Sequence, residues 1–84
     1  TNPTIHFNRA IVYAQAEESA KANHHFARAC QLDPTYVRGH LGWGEFLQER
    51  GNLKGALAQF EAASRLVPRD VSLLLRCAEL AAQC

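Results

Sequence analysis

The stretch "CQLDPTY" at 30–36 returns as "SRLVPRD" at 64–70, placing Pro34 and Pro68 at equivalent points of the two stretches and setting a period equal to their separation. Proline lacks a backbone N–H and clashes with the preceding turn of a helix, so each seam marks where one helix has stopped and another must start. Sliding the chain by that one period superimposes His6 on His40, Ala22 on Ala56, Phe26 on Phe60, Ala29 on Ala63 and Leu32 on Leu66. Ala10, Gly44 and Ala78 share one register position as well. A small residue there lets two helix backbones approach closely, with Phe26 or Phe60 filling the space beside it.

Between the seams Ala and Leu are abundant, β-branched runs are scarce, and apolar residues recur at i, i+3, i+4 and i+7. The pattern predicts an all-α chain of five helices, about Pro3 to Gln15, Ser19 to Leu32, Val37 to Arg50, Lys54 to Leu66 and Val71 to Gln83. Asn2 is positioned to cap the first and Asp70 the fifth, while Gly51-Asn52 can take the left-handed conformation that ends the third. Helix pairs repeating with the Pro34-to-Pro68 period imply a solenoid.

Eighty-four residues suffice for one domain with a thin core. A net charge of +1 supplies no general attraction to nucleic acid or an anionic membrane. The longest apolar run, Leu73-Leu74-Leu75, falls far short of the roughly 20 residues of a membrane span, so no membrane insertion is expected. Cys30, Cys77 and Cys84 are odd in number and form no C-x-x-C pair. Cys77 and Cys84 would lie about 10 Å apart along a helix, too far to bridge. They read as thiols of a reducing, cytoplasmic compartment or as small apolar residues. His24, His25 and Cys30 are a weak metal set, because adjacent histidines diverge by about 100° on a helix. With no phosphate loop or serine elbow either, neither a cofactor nor catalysis is expected.

With the residues above, the chain resembles the tetratricopeptide repeat (TPR) family. In "GHLGWGEFLQERGNLKGALAQFEAASRLVP", Gly44, Leu47, Gly51, Ala56, Phe60, Ala63 and Pro68 stand where the family pattern has such residues. In "IHFNRAIVYAQAEESAKANHHFARACQLDP", Ala10, Tyr13, Ala22, Phe26, Ala29 and Pro34 do. The resemblance implies one domain over residues 1–84, a right-handed helical solenoid of antiparallel helix pairs, with repeats at 3–36 and 37–70 and an additional repeat helix at 71–84. There are departures from the pattern. Arg9 takes a slot usually filled by a large apolar side chain, His6 and His40 replace bulky apolar residues, and the first repeat uses "AEESA" where the second has its inter-helix glycine.

The resemblance further implies a protein–protein interaction module holding a partner peptide or helix on its concave face. The residues it points to are Phe7, Asn8, Ile11, Arg38, Leu41, Glu45, Leu75, Arg76 and Glu79. Phe7, Ile11, Leu41 and Leu75 would form an apolar strip with mixed charge around it, although the same residues could merely pack between helices. The family's clamp for acidic C-terminal tails would fall on Phe7, Ile11, Gly42, Ser72 and Arg76, of which only Arg76 keeps the needed chemistry, so that activity is not expected. RNA reading, known among related solenoids, is disfavoured because Arg38 and Arg50 alternate with Glu45 and Glu49. On the last helix Leu74, Cys77, Ala78 and Ala81 are expected to pack on the second repeat, leaving Leu73, Cys77, Leu80 and Cys84 for self-association or for further repeats. The alternative function is a structural segment of a longer scaffold whose partner contacts lie elsewhere.

Overall fold

A computed structural model describes residues 2–84; Thr1, the first residue of the expected domain, lies outside the described residues. The described residues form five helices: α1 (Pro3–Gln15), α2 (Ser19–Leu32), α3 (Val37–Glu49), α4 (Leu53–Leu66) and α5 (Val71–Gln83). Their bounds follow local chemistry. Asn2 accepts a hydrogen bond from the Thr4 N–H at 2.9 Å ahead of Pro3, and Asp70 accepts one from Leu73 at 3.1 Å. Asn52 accepts from Gly55 at 3.0 Å, which starts α4 at Leu53, one residue earlier than its apolar pattern alone predicts. The third helix closes one residue early, with Arg50 as its C-cap.

The two turns inside the helix pairs are built alike although their sequences differ. Glu17 and Gly51, one period apart, both adopt positive φ, 60° and 83°. After α1, Glu18 N–H donates to the Tyr13 carbonyl and Glu17 N–H to that of Ala14; after α3, Asn52 donates to Leu47 and Gly51 to Gln48. This pair of bonds satisfies carbonyls that the helix end would otherwise leave open. "AEESA" therefore makes the glycine-type turn without glycine.

At the seam between α2 and α3, Asp33 Oδ1 accepts from the Thr35 N–H at 3.0 Å and from its hydroxyl at 2.6 Å. Those bonds favour the ionised carboxylate and hold its pKa below the ordinary value. His40, buried on α3, lies across the same seam: Nε2 donates to the Pro34 carbonyl at 2.9 Å, and Nδ1 is 2.9 Å from the Gln59 carboxamide on α4. A histidine at this position ties the seam, α3 and α4 together, which an apolar residue could not do.

The core follows the alignment of one repeat on the next. Ala22, Phe26 and Ala29 of α2 and Ala56, Phe60 and Ala63 of α4 are fully buried, as is Ala10 of α1. A Cβ on Gly44 would stand 2.9 Å from the Phe60 ring, so α3 and α4 approach as closely as a glycine permits. Phe7 lies across Gly42 of α3 and meets the Phe26 and Tyr36 rings edge-on at centroid distances of 6.0 and 5.7 Å.

On α5 the expected faces are exchanged. Leu73 and Leu80 are 5% and 1% exposed and Cys77 is half-buried against the core, whereas Leu74, Ala78 and Ala81 are exposed. The residues expected to be open for self-association are thus internal, except Cys84, which is exposed. The reason is register. Leu74, Ala78 and Ala81 correspond to His40, Gly44 and Leu47, whose covering comes from the second helix of their own pair, α4. Leu73, Cys77 and Leu80 meet the preceding α4, which is present.

Candidate functional site

The first, third and fifth helices line a groove whose floor is set by close packing at Gly42 and whose walls are the polar faces of α3 and α5. Its widest part is a cavity of about 680 Å³ bounded by Glu45, Gln48, Glu49, Ser72, Leu75, Arg76 and Glu79. A second cavity of about 280 Å³ shares Glu45 and Glu49 and runs toward α1 past Ile11, Gln15 and Gly42. A third, of about 200 Å³, brings Leu41 beside Glu45 and Arg76. Through these shared residues Ile11, Leu41, Glu45, Leu75, Arg76 and Glu79 belong to one continuous surface.

The remaining residues expected on it sit elsewhere. Phe7 is 8% exposed and already in contact with Phe26, Tyr36 and the Arg38 guanidinium, 5.4 Å from its ring centre. It is a packing residue, because the absence of a side chain at Gly42 draws it into the α1–α3 seam. Arg38, exposed at the start of α3, is thereby held above Phe7 and does not line these cavities. Asn8 borders a separate shallow cavity with Arg9, Val12 and Tyr13. Gln48 is a residue that the repeating pattern on α3 does not mark as groove-facing; only the placement of α5 brings it to the wall.

Electrostatically the groove is lopsided. Three carboxylates, Glu45, Glu49 and Glu79, face one guanidinium, and Arg76 is shared between Glu45, 3.5 Å away, and the Phe60 ring, 5.0 Å from its centre. Both members of the pair are about half exposed, 45% and 58%, so it is worth at most about 1 kcal/mol and can open for a partner. Leu75, 58% exposed, is the large apolar side chain among these carboxylates.

Other chemistry-bearing groups lie off this surface. On the α1–α2 face His6 Nδ1 is 3.2 Å from His25 Nδ1, with Tyr13 stacked on His25. The His6 and His25 ring centres are 5.4 Å apart and nearly parallel, so the two nitrogens point at one another as in an N–H···N bond, a poor arrangement for lone pairs to converge on an ion. Desolvation first, then Arg9, Arg28 and His24, lower the pKa of His6; desolvation, then His24, His6 and Arg9, lower that of His25. Among the described residues no group of three or more His, Cys, Asp or Glu could hold a metal ion, and no helix is long and apolar enough to cross a membrane. Burial, with Asp33 adding to it, raises the Cys30 thiol to about 11.

Antiparallel helix pairs recurring with a single period, with alanines and a phenylalanine interleaved along each second helix, define a helical-repeat protein of the interaction class. Residues 3–36 match the family model described as Tetratricopeptide repeat, and the chain belongs to the tetratricopeptide repeat family. A search of curated proteins returns no match. Repeats of this family serve in general as protein-interaction modules rather than as catalysts.

Proposed function

We propose that this chain binds a peptide segment of a partner protein in the groove formed by α1, α3 and α5, with residues 37–70 acting as a second repeat and 71–84 as the first helix of another. The observation that carries the reading is the 680 Å³ cavity between α3 and α5, where an exposed Leu75 stands among Glu45, Glu49 and Glu79. Apolar side chains of the partner would settle against Ile11, Leu41 and Leu75, contributing on the order of 25 cal/mol per Å² buried. Lysine or arginine beside them would meet Glu49 and Glu79, fixing register and favouring encounter. Neutral or acidic peptides would leave these carboxylates without a counter-charge, so the proposed ligand is a basic and apolar segment.

The test is selection from a peptide library followed by titration against a double variant, Glu49→Lys with Glu79→Lys, both at exposed positions. Enriched peptides should carry a basic residue next to an apolar one, lose affinity at least tenfold against the variant, and weaken as salt rises. Enrichment of acidic peptides, or equal binding to the variant and to Leu75→Glu, would move function off this groove and leave the chain a structural segment of a larger scaffold.

A further inference from the structure

The register of the repeat gives each first helix of a pair a covered face. In α1 that face is His6, Ala10 and Tyr13: Ala10 is fully buried, His6 meets His25 at 3.2 Å, and Tyr13 stacks on His25 at 5.4 Å, all against α2. In α3 it is His40, Gly44 and Leu47: His40 reaches Gln59 at 2.9 Å, Gly44 lies under the Phe60 ring, and Leu47 is buried. One period further on stand Leu74, Ala78 and Ala81, all exposed, with Leu74 at 46%.

This face is built to be covered. At 100° per residue Leu74, Ala78 and Ala81 fall within about 60° of one another, and Val71 and Ala82 widen the strip without a charge interrupting it. Glu61 and Arg65 of α4 border it, where they join Leu74 and Cys77 around a cavity of about 270 Å³. The small residue at its centre, Ala78, occupies the position over which Phe60 lies in the α3–α4 pair. No aromatic residue occurs in α5, so two copies of α5 facing each other would leave the recess above Ala78 unfilled.

From this correspondence we infer that the exposed face of α5 is a socket for a helix of another protein, lying antiparallel to α5. The helix it takes carries alanine, phenylalanine and alanine at the spacing of Ala56, Phe60 and Ala63. The aromatic ring seats over Ala78, and the flanking alanines let the backbones close. The groove is on another side of α5, that of Ser72, Arg76 and Glu79, so the two surfaces can be occupied independently.

A fluorescently labelled peptide of residues 53–66 is the probe, titrated into the 84-residue chain and followed by anisotropy. Saturable binding is expected, weakened about a hundredfold or more when the peptide carries Phe60→Ala, the scale of losing a buried phenyl ring. Ala78→Leu in the chain, a change at an exposed site that should leave its circular dichroism intact, is expected to weaken binding as much, because the leucine takes the space of the ring. A merely sticky apolar strip would bind as well or better with that leucine. A peptide displacing the chain's own α4 would be indifferent to it. Binding unaffected by Ala78→Leu therefore overturns the inference, as does no binding at about millimolar peptide, or a dimer of the chain that Leu74→Glu dissolves.

Discussion

Glu17 and Gly51 offer a test of how far the backbone alone sets stability in this fold. They are one period apart, share the same pair of carbonyl-capping hydrogen bonds, and both have positive φ. Left-handed backbone costs an L-residue roughly 1–2 kcal/mol through crowding of its Cβ, whereas glycine avoids that but loses about 0.5–1 kcal/mol more chain entropy on folding. Glu17→Gly should therefore stabilise by about 0.5–1 kcal/mol. Electrostatics changes this little, because the exposed carboxylate lies between the C-terminus of α1 and the N-terminus of α2, whose dipoles act on it in opposite senses. Gly51→Ala should destabilise by about 1 kcal/mol for backbone reasons alone, since nothing lies within 4 Å of the added Cβ. At roughly 4–8 °C per kcal/mol for a domain of this size, Glu17→Gly raises Tm by about 3–6 °C and Gly51→Ala lowers it by about 4–8 °C. Urea titration and thermal melting followed by far-UV circular dichroism give both values. Unchanged or reduced stability in Glu17→Gly, or neutrality of Gly51→Ala, would refute the reasoning.

Gly42→Ala would place a Cβ 2.5 Å from Cε1 of Phe7, whose ring is hemmed in by Phe26, Tyr36 and Arg38, so a loss of about 1–3 kcal/mol is expected in urea titration, with Phe7→Leu in the same chain restoring part of it. His6 and His25 both have pKa values lowered from 6.5, so the unfolded chain binds protons more readily; their contribution is whole above pH 6.5 and is lost as pH falls through the lowered values. Thermal melts from pH 7.5 down to 5 should show Tm falling, and the slope should flatten in His6→Phe with His25→Leu. Iodoacetamide followed by mass spectrometry should label exposed Cys84 first and Cys30 last, because Cys30 is buried and its thiol is pushed to about 11.

Helices, caps and period were legible along the chain because each depends on residues near one another in sequence. Pro34 and Pro68 stop helices wherever the segments pack, and Asn2 and Asp70 reach N–H groups two or three residues away. The turn at Glu17 was less legible, since no residue there prefers positive φ and only the equivalence with Gly51 suggests it. Within the candidate site, Ile11, Leu41, Glu45, Leu75, Arg76 and Glu79 share a groove in accord with helical spacing, because that spacing places them on one face of each helix. Phe7, Asn8 and Arg38 depart from it. For Phe7 and Arg38 the reason lies outside their own helices: Gly42 of the neighbouring helix admits the Phe7 ring, and Arg38 follows it.

The sequence by itself determined where five helices begin and end, the period at which they recur, and the alternation of small and aromatic residues that lets each pair close. Tertiary structure alone decided which apolar face of α5 is inside. Leu73 and Leu74 are adjacent and chemically identical, yet one is 5% exposed and the other 46%, because α4 covers the first and a second helix of its own pair would be needed to cover the other. Burial is a property of neighbours, and helical periodicity describes only the helix.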